Sequence, residues 1–272
     1  MKIPILFEIE NEEEYKSHVD TILLSVPQLS FEKKNYPPSN GYYFVWRKNG
    51  LSLHLNQRFQ TTTLHADFLH GSLGYRLRNI HGELITKAVG CRRGFRPAIF
   101  DATVGLGQDA GVLASIGCSV SAFEKNPLVA ALLMDGLRRA EYFHTWVKRL
   151  TVFSSTSLTI LAKTPHGVIY LDPMFDVQRN AASKKKMHFL EVLLSENVCS
   201  KQSLLEAALD SKASRIVVKR HRDAPFLDKI NPNSSIHGAG IRFDLYCRKK
   251  ISESDLIPFE INSDDVYMFE KS

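Results

Sequence analysis

The sequence is poor in the features that staple or anchor a chain. Its four cysteines, Cys91, Cys118, Cys199 and Cys247, are widely spaced and form no CxxC pair or Cys/His cluster. That excludes a disulfide framework and a structural zinc site, and leads us to expect reduced thiols, no metal and a cytoplasmic location. No apolar run reaches the roughly eighteen residues that a membrane span needs. The longest, Val129 to Met134, is far shorter. The first residues, Met1-Lys-Ile-Pro-Ile-Leu-Phe-Glu8, turn acidic before an apolar signal core forms, so no secretion signal is expected. Internal repeats and low-complexity stretches are missing too.

What is present is ordinary in bulk and informative in detail. At 272 residues, 44% hydrophobic and 24% charged, the chain can build one large domain, or a core domain with a small appendage. Sixteen Phe and nine Tyr supply the bulk for a substantial core. The net charge of +6 is by itself a weak pointer to a polyanionic partner. Its clustering says more: Arg92-Arg93 with Arg96, Arg138-Arg139, Lys148-Arg149, Lys184-Lys185-Lys186, Lys219-Arg220 with Arg222, and Arg248-Lys249-Lys250. Several fall near the ends of expected strands, where cations suit phosphate contacts around a cleft.

Along the chain, Tyr36-Pro37-Pro38-Ser39-Asn40-Gly41 reads as a turn. Tyr42–Arg47, a Lys-Asn-Gly turn and Leu51–Leu55 read as a β-hairpin. Residues 1–70 are therefore expected to form a small N-terminal α/β subdomain, with the main domain over 71–272. Leu69 to Arg78 reads as a basic loop carrying His70, Arg76 and Arg78, followed by a short helix over Glu83–Val89. From Pro97 the pattern is a regular alternation. Strands are expected at 99–101, 119–124, 150–153, 168–171 and 215–219, with helices from about 108, from Asn126-Pro127, around 187–195 and over 202–210. Asn126 can cap a helix and Pro127 suits its first turn. Ile241–Tyr246 and Asp265–Phe269 read as a closing hairpin. Such alternation implies a doubly wound, largely parallel sheet, with binding chemistry at the strand C-termini.

Asp101, Glu124, Ser157 and Asp172 all fall at those termini. Ile99-Phe-Asp-Ala-Thr-Val-Gly-Leu-Gly-Gln-Asp109 is a strand, a turn with Gly105 and Gly107, and a helix start. Glycines there let the backbone approach a ligand, and the helix N-terminus offers free N–H groups. Glu124, closing the next strand, can accept from ribose hydroxyls. A nucleoside cofactor is the expectation. Later, Tyr170-Leu-Asp172-Pro173-Met174-Phe175 follows a buried strand with an acceptor and an aromatic face. A flat base with an exocyclic amine needs both: acceptors to orient its N–H bonds and a ring to stack on.

In combination, Asp101–Asp109, Phe123–Leu137, Tyr170–Phe175, Val217-Val-Lys-Arg220 and Arg242-Phe-Asp-Leu-Tyr246 resemble the bacterial ribosomal RNA small subunit methyltransferase J family. The resemblance runs from about residue 87 to 247. It implies a Rossmann-like class I sheet that binds S-adenosyl-L-methionine (SAM) and methylates the exocyclic N2 of a guanine in 16S rRNA, as free RNA or in the 30S subunit. It also implies methionine-side contacts at Gln108-Asp109, ribose contacts at Glu124-Lys125, adenine-side contacts at Thr156-Ser157 and a contact from Asp172. Gln108 stands where the family commonly has Arg. On this reading Asp101 and Gly105 shape the turn, Asp172 and Phe175 act on the target base, no metal or membrane is involved, and the protein is a monomer. Three other readings compete. Gly105-Leu-Gly-Gln-Asp-Ala110 fits a loose dehydrogenase fingerprint, but no proton donor accompanies it. A non-catalytic rRNA-binding assembly factor would have lost the glycine turn or the ribose acid. Methylation of adenine N6 or a protein glutamine would use a similar Asp-Pro-aromatic segment.

Overall fold

The computed structural model describes residues 1–8, 13–57, 60–162, 167–173 and 203–258. Two sheets share one core. The first has five strands: β1 (Lys2–Glu8), β2 (Ser30–Lys33), β3 (Gly41–Arg47), β4 (Gly50–Gln57) and β5 (Gln60–Leu64), in the order β2-β1-β3-β4-β5. Helix α1 (Glu13–Ser25) crosses from β1 to its parallel neighbour β2, and β3-β4-β5 is an antiparallel meander. The expected hairpin is β3-β4, in register from Gly41↔Asn56 to Arg47↔Gly50.

The second sheet carries the site. Its strands are β6 (Ile99–Asp101), β7 (Val120–Phe123), β8 (Leu150–Phe153), β9 (Val168–Leu171), β10 (Arg215–His221), β11 (Ser234–His237) and β12 (Ile241–Cys247). Their order is β11-β12-β10-β9-β6-β7-β8, parallel from β10 through β8. The chain leaves β6 for β7 and β8 on one side, then returns to β9 on the other. That reversal opens a crevice above the C-terminal ends of β6 and β9.

Two departures from the sequence reading have local causes. Leu69–Arg78 is largely helix, not loop: α2 spans Gly71–Arg78 and is followed by α3 (Leu84–Ala88). Gly71 and Gly74 weaken its propensity signal, while Leu73 is fully buried. The partner of β12 in its hairpin is β11, at the sheet edge. Ser-Ser-Ile-His carries too little apolar alternation to announce a strand. Asp265–Phe269 and the helix expected around 187–195 lie outside the described residues.

Helices α4 (Gln108–Ser115) and α5 (Pro127–Glu141) cover one face of the second sheet, and α6 (Leu158–Leu161) and α7 (Leu204–Asp210) the other. Asn126 caps α5, accepting from the N–H groups of Leu128 and Val129. On the second face Phe100, Phe123 and Phe153 stack with centroids 4.7 and 4.9 Å apart. The first face merges with the five-stranded sheet in a core that includes Ile5, Phe44, Trp46, Leu53, Leu132 and Val217. A buried acid pins the junction. Asp135 on α5 accepts from Leu51 N–H on β4 at 2.9 Å and from Arg138 and Arg139, and Arg139 also donates to the Ala66 carbonyl. The Arg138-Arg139 pair is thus engaged inside the molecule.

The connection between the sheets threads the same junction. Phe68, 1% exposed, lies under three glycines, one capping α4, one within it and one in α5. A Cβ on Gly107, Gly111 or Gly136 would meet its ring at 2.8, 3.3 or 3.0 Å. No helix among the described residues is long and apolar enough to cross a membrane.

Candidate active site

The glycine turn follows β6. Asp101 ends the strand, 1% exposed, and its Oδ1 accepts from Thr103 N–H at 3.0 Å. Burial raises its carboxyl well above the usual carboxylate range, and the nearby Asp109 and Asp172 add to that. Gly105 (φ 55°) and Gly107 (φ 75°) are both left-handed, for different reasons. At Gly107 a side chain would strike Phe68 and Leu133. At Gly105 it would point into open space, so the absence of a Cβ leaves the backbone open to a ligand.

Glu124, immediately after β7, closes the turn from the side. Its Oε2 accepts from Gly105 N–H at 3.0 Å and its Oε1 from Asn126 N–H at 2.8 Å. Burial nonetheless pushes its carboxyl up to about 7, because the two N–H bonds and Lys125 offset only part of the lost hydration. Lys125 itself is exposed.

The loop after β8 lies alongside. Ser157 Oγ donates to the Ala102 carbonyl at 3.0 Å, and Thr156 Oγ1 accepts from Leu158 N–H. Ser154 and Gln28 exchange two hydrogen bonds, tying this loop to the start of β2. Gln108, half-buried, is the first residue of α4.

Asp109 turns inward. Its Oδ2 accepts from Tyr170 Oη at 2.5 Å and Lys219 Nζ at 2.7 Å, and its Oδ1 is 2.8 Å from Arg76 Nη2. Burial opposes its ionisation, but Lys219 and Arg76 outweigh that and hold the carboxyl down at about 2. Arg76 also grips Glu83 with two bonds of 2.8 Å. Lys219 reaches on to Asp172 Oδ2 at 2.8 Å, and Asp172 N–H donates to Thr103 Oγ1 at 2.6 Å. Arg76, Glu83, Asp109 and Lys219 border a cleft of about 430 Å3 whose apolar walls are Leu84, Ile241 and Phe243.

Asp101, Gly105, Glu124, Ser157 and Asp172 thus converge on the strand ends as their positions in the sequence implied. Phe175 lies outside the described residues. Arg76 and Glu83 escaped sequence reasoning as a pair. Arg76 sits in a stretch whose helical signal is weak, and its other partner, Asp109, is distant in the chain. Lys219, one of the clustered cations near a strand end, makes ion pairs within the protein.

A family model described as "Putative SAM-dependent methyltransferase" matches residues 28–248. The ribosomal RNA small subunit methyltransferase J of Stutzerimonas stutzeri is 38% identical over 211 residues, 74% of this chain and 81% of that protein. The chain belongs to the ribosomal RNA small subunit methyltransferase J family. The methyltransferase J of Cellvibrio japonicus is likewise 38% identical over 227 residues, covering 78% of this chain and 85% of its own. A crystal structure of a SAM-dependent methyltransferase from Neisseria gonorrhoeae superposes with a TM-score of 0.67 at 28% identity, over 95% of this chain and all of that one. The fold is that of a class I SAM-dependent methyltransferase, and SAM is the family's cofactor. The match from residue 28 takes in β2 to β5, so four of the five strands of the first sheet lie within the matched residues. The site fits the cofactor. Open space above Gly105 and a buried acceptor at Glu124 are what a nucleoside with a ribose diol requires.

Proposed function

We propose that this methyltransferase modifies the exocyclic N2 amine of one guanine in 16S ribosomal RNA of the small subunit. The observation that carries the reading is the position of Asp172. It follows β9 directly, its N–H is bonded to Thr103 in the glycine turn, and its side chain is 38% exposed, so an accessible acceptor stands beside that turn. The names of the relatives support ribosomal RNA as the substrate. When bound, SAM supplies a methyl carbon on a positively charged sulfur, which the amine nitrogen takes as the carbon–sulfur bond breaks and the amine proton leaves to solvent.

An amine conjugated to a purine is a weak nucleophile, so the protein's contribution is alignment and electrostatics. We assign Asp172 to accept from the amine and orient its nitrogen; it need not be a strong base. Phe175 is the aromatic assigned to stacking. Gly105 and Glu124 are assigned to the nucleoside, with Lys125, Thr156 and Ser157 around it, and Gln108 and Asp109 to the methionine side. Because Asp109 is already engaged by three partners, its part there is to hold Lys219 and Arg76. The same reading makes the protein a cytoplasmic monomer without a metal, which size-exclusion chromatography and activity in EDTA check.

The deciding experiment is methyl transfer from labelled SAM to 30S subunits and naked 16S rRNA from a strain lacking this protein, with nucleoside mass spectrometry. N2-methylguanosine at a single site is expected, and Asp172→Ala should abolish most of it. A different methylated nucleoside, or a labelled protein, would overturn the assignment of the acceptor.

A further inference from the structure

We propose that Lys219 is a positioning residue for the methyl transfer: it fixes the Asp172 carboxylate where the acceptor amine is received. The proposal rests on Asp172 being the amine acceptor.

Strand register puts the two residues together. Val218 pairs with Leu171 across β10 and β9, so Lys219 is level with Asp172 one step beyond the last pair. Alternation then turns Lys219 away from the face of Ile216 and Val218 and towards α4, the side of Val217. There its ammonium bridges two carboxylates, 2.7 Å from Asp109 and 2.8 Å from Asp172.

The far side of that bridge is rigid. Asp109 is gripped by Tyr170 and Arg76, and Arg76 by Glu83. The chain Glu83–Arg76–Asp109–Lys219–Asp172 runs from the start of α3 to the end of β9. Side-chain exposure is 18%, 23%, 7% and 24% along its first four members and rises to 38% at Asp172. A network anchored in the protein thus ends on one solvent-facing acid. Thr103 holds the Asp172 main chain and Lys219 holds one carboxylate oxygen, and two fixed points set the direction in which the carboxylate faces.

Charge works in the same sense. Asp109 and Asp172 both act on the buried Asp101 carboxyl, and Lys219 stands between the two of them. Without a cation between them, Asp172 would be driven outward by Asp109 and lose its aim. Misplacement of a reacting group by about 1 Å can cost about a hundredfold in rate. A purely structural ion pair would behave differently: its loss would loosen the cleft and weaken cofactor and RNA binding along with turnover.

The test compares Lys219→Met and Lys219→Arg in the full-length protein, using 30S subunits that lack the methyl group. We expect Lys219→Met to lower kcat by about a hundredfold while KM for the subunit and Kd for SAM stay within about threefold. Lys219→Arg, which keeps the charge and the donors, should recover at least about a tenth of the wild-type kcat. If Lys219→Met does not fold, Lys219→Gln takes its place with the same expectation. The proposal is overturned if the neutral variant keeps kcat within about threefold, if SAM binding weakens as much as kcat falls, or if Arg is no better than the neutral residue. Should the wild-type product be an amine other than guanine N2, only the assignment of guanine N2 as the methylated atom fails, and the same variants on that amine still decide the role of Lys219.

Discussion

Glu124 and Asp109 flank the same glycine turn, and they are almost equally sealed from water, at 5% and 7% exposure. Their states are opposite. Glu124 is surrounded by backbone N–H groups and its carboxyl sits at about 7; Asp109 faces Lys219 and Arg76 and sits at about 2. Neutral dipoles offset only part of the desolvation of a carboxylate, whereas whole charges at 2.7–2.8 Å exceed it. Each outcome suits its place. An acid left short of partners gains most from a ligand that brings donors, such as a ribose diol. An acid saturated by cations is a fixture around which other groups can be aimed.

The largest effect that would break this contrast is on stability. Asp109→Ala removes the shared partner of two half-buried cations and should destabilise the fold by about 3 kcal/mol in urea unfolding. A loss under about 1 kcal/mol would mean that Lys219 and Arg76 are satisfied without it. Next comes cofactor affinity. Glu124→Gln removes a charged acceptor and should weaken SAM binding by about thirtyfold in calorimetry, with little change in melting temperature at pH 5.

The contrast also has a pH signature. Ribose hydroxyls favour the ionised carboxylate, so SAM binding should tighten by about tenfold from pH 6 to pH 8 and release a proton. In Glu124→Gln that slope should vanish; a slope that survives would place the titration elsewhere. The stability terms run in opposite directions. The Glu124 carboxyl lies above its usual 4.5, so its contribution to folding is present at low pH and fades as pH rises through 7. Asp109 lies below its usual 3.8, so its contribution is present above that pH and is lost as pH falls towards 2. Relative to wild type, Glu124→Gln should therefore look more stable at pH 8 than at pH 5.

The smallest difference sharpens the comparison within the turn itself. Alanine is strained at both left-handed glycines by about 1–2 kcal/mol. At Gly107 it must also displace Phe68 and Leu133, so Gly107→Ala should melt lower than Gly105→Ala, while Gly105→Ala should lose more SAM affinity. Equal melting temperatures would show that the Phe68 contact yields easily.

What was legible in the sequence was local. The run Ile99 to Asp109, the Asn126-Pro127 start of α5 and the Lys-Asn-Gly hairpin each hold their cause within a few residues. So does Glu124, placed by the end of a buried strand. What was hidden needed the sheet order. Lys219 meets Asp172 only because β10 lies beside β9, and Arg76 meets Asp109 only because α2, obscured by its glycines, packs on α4. Edge strand β11 was hidden because its four residues are mostly polar and half of them face water.

Phe68 and its three glycines bear on how this chain is made. A ribosome synthesises about 5–20 residues per second. The face of the five-stranded sheet bearing Phe44 and Trp46 emerges complete by Leu64, but α5, which covers it, ends only at Glu141. For roughly 4–15 seconds at that pace the nascent chain carries an apolar face that α1 covers only in part, and an aromatic plug with no socket. Glycines at 107, 111 and 136 provide that socket and have no side chains with which to fill it themselves. The first third of the protein therefore waits, in every round of synthesis, for its second third to arrive.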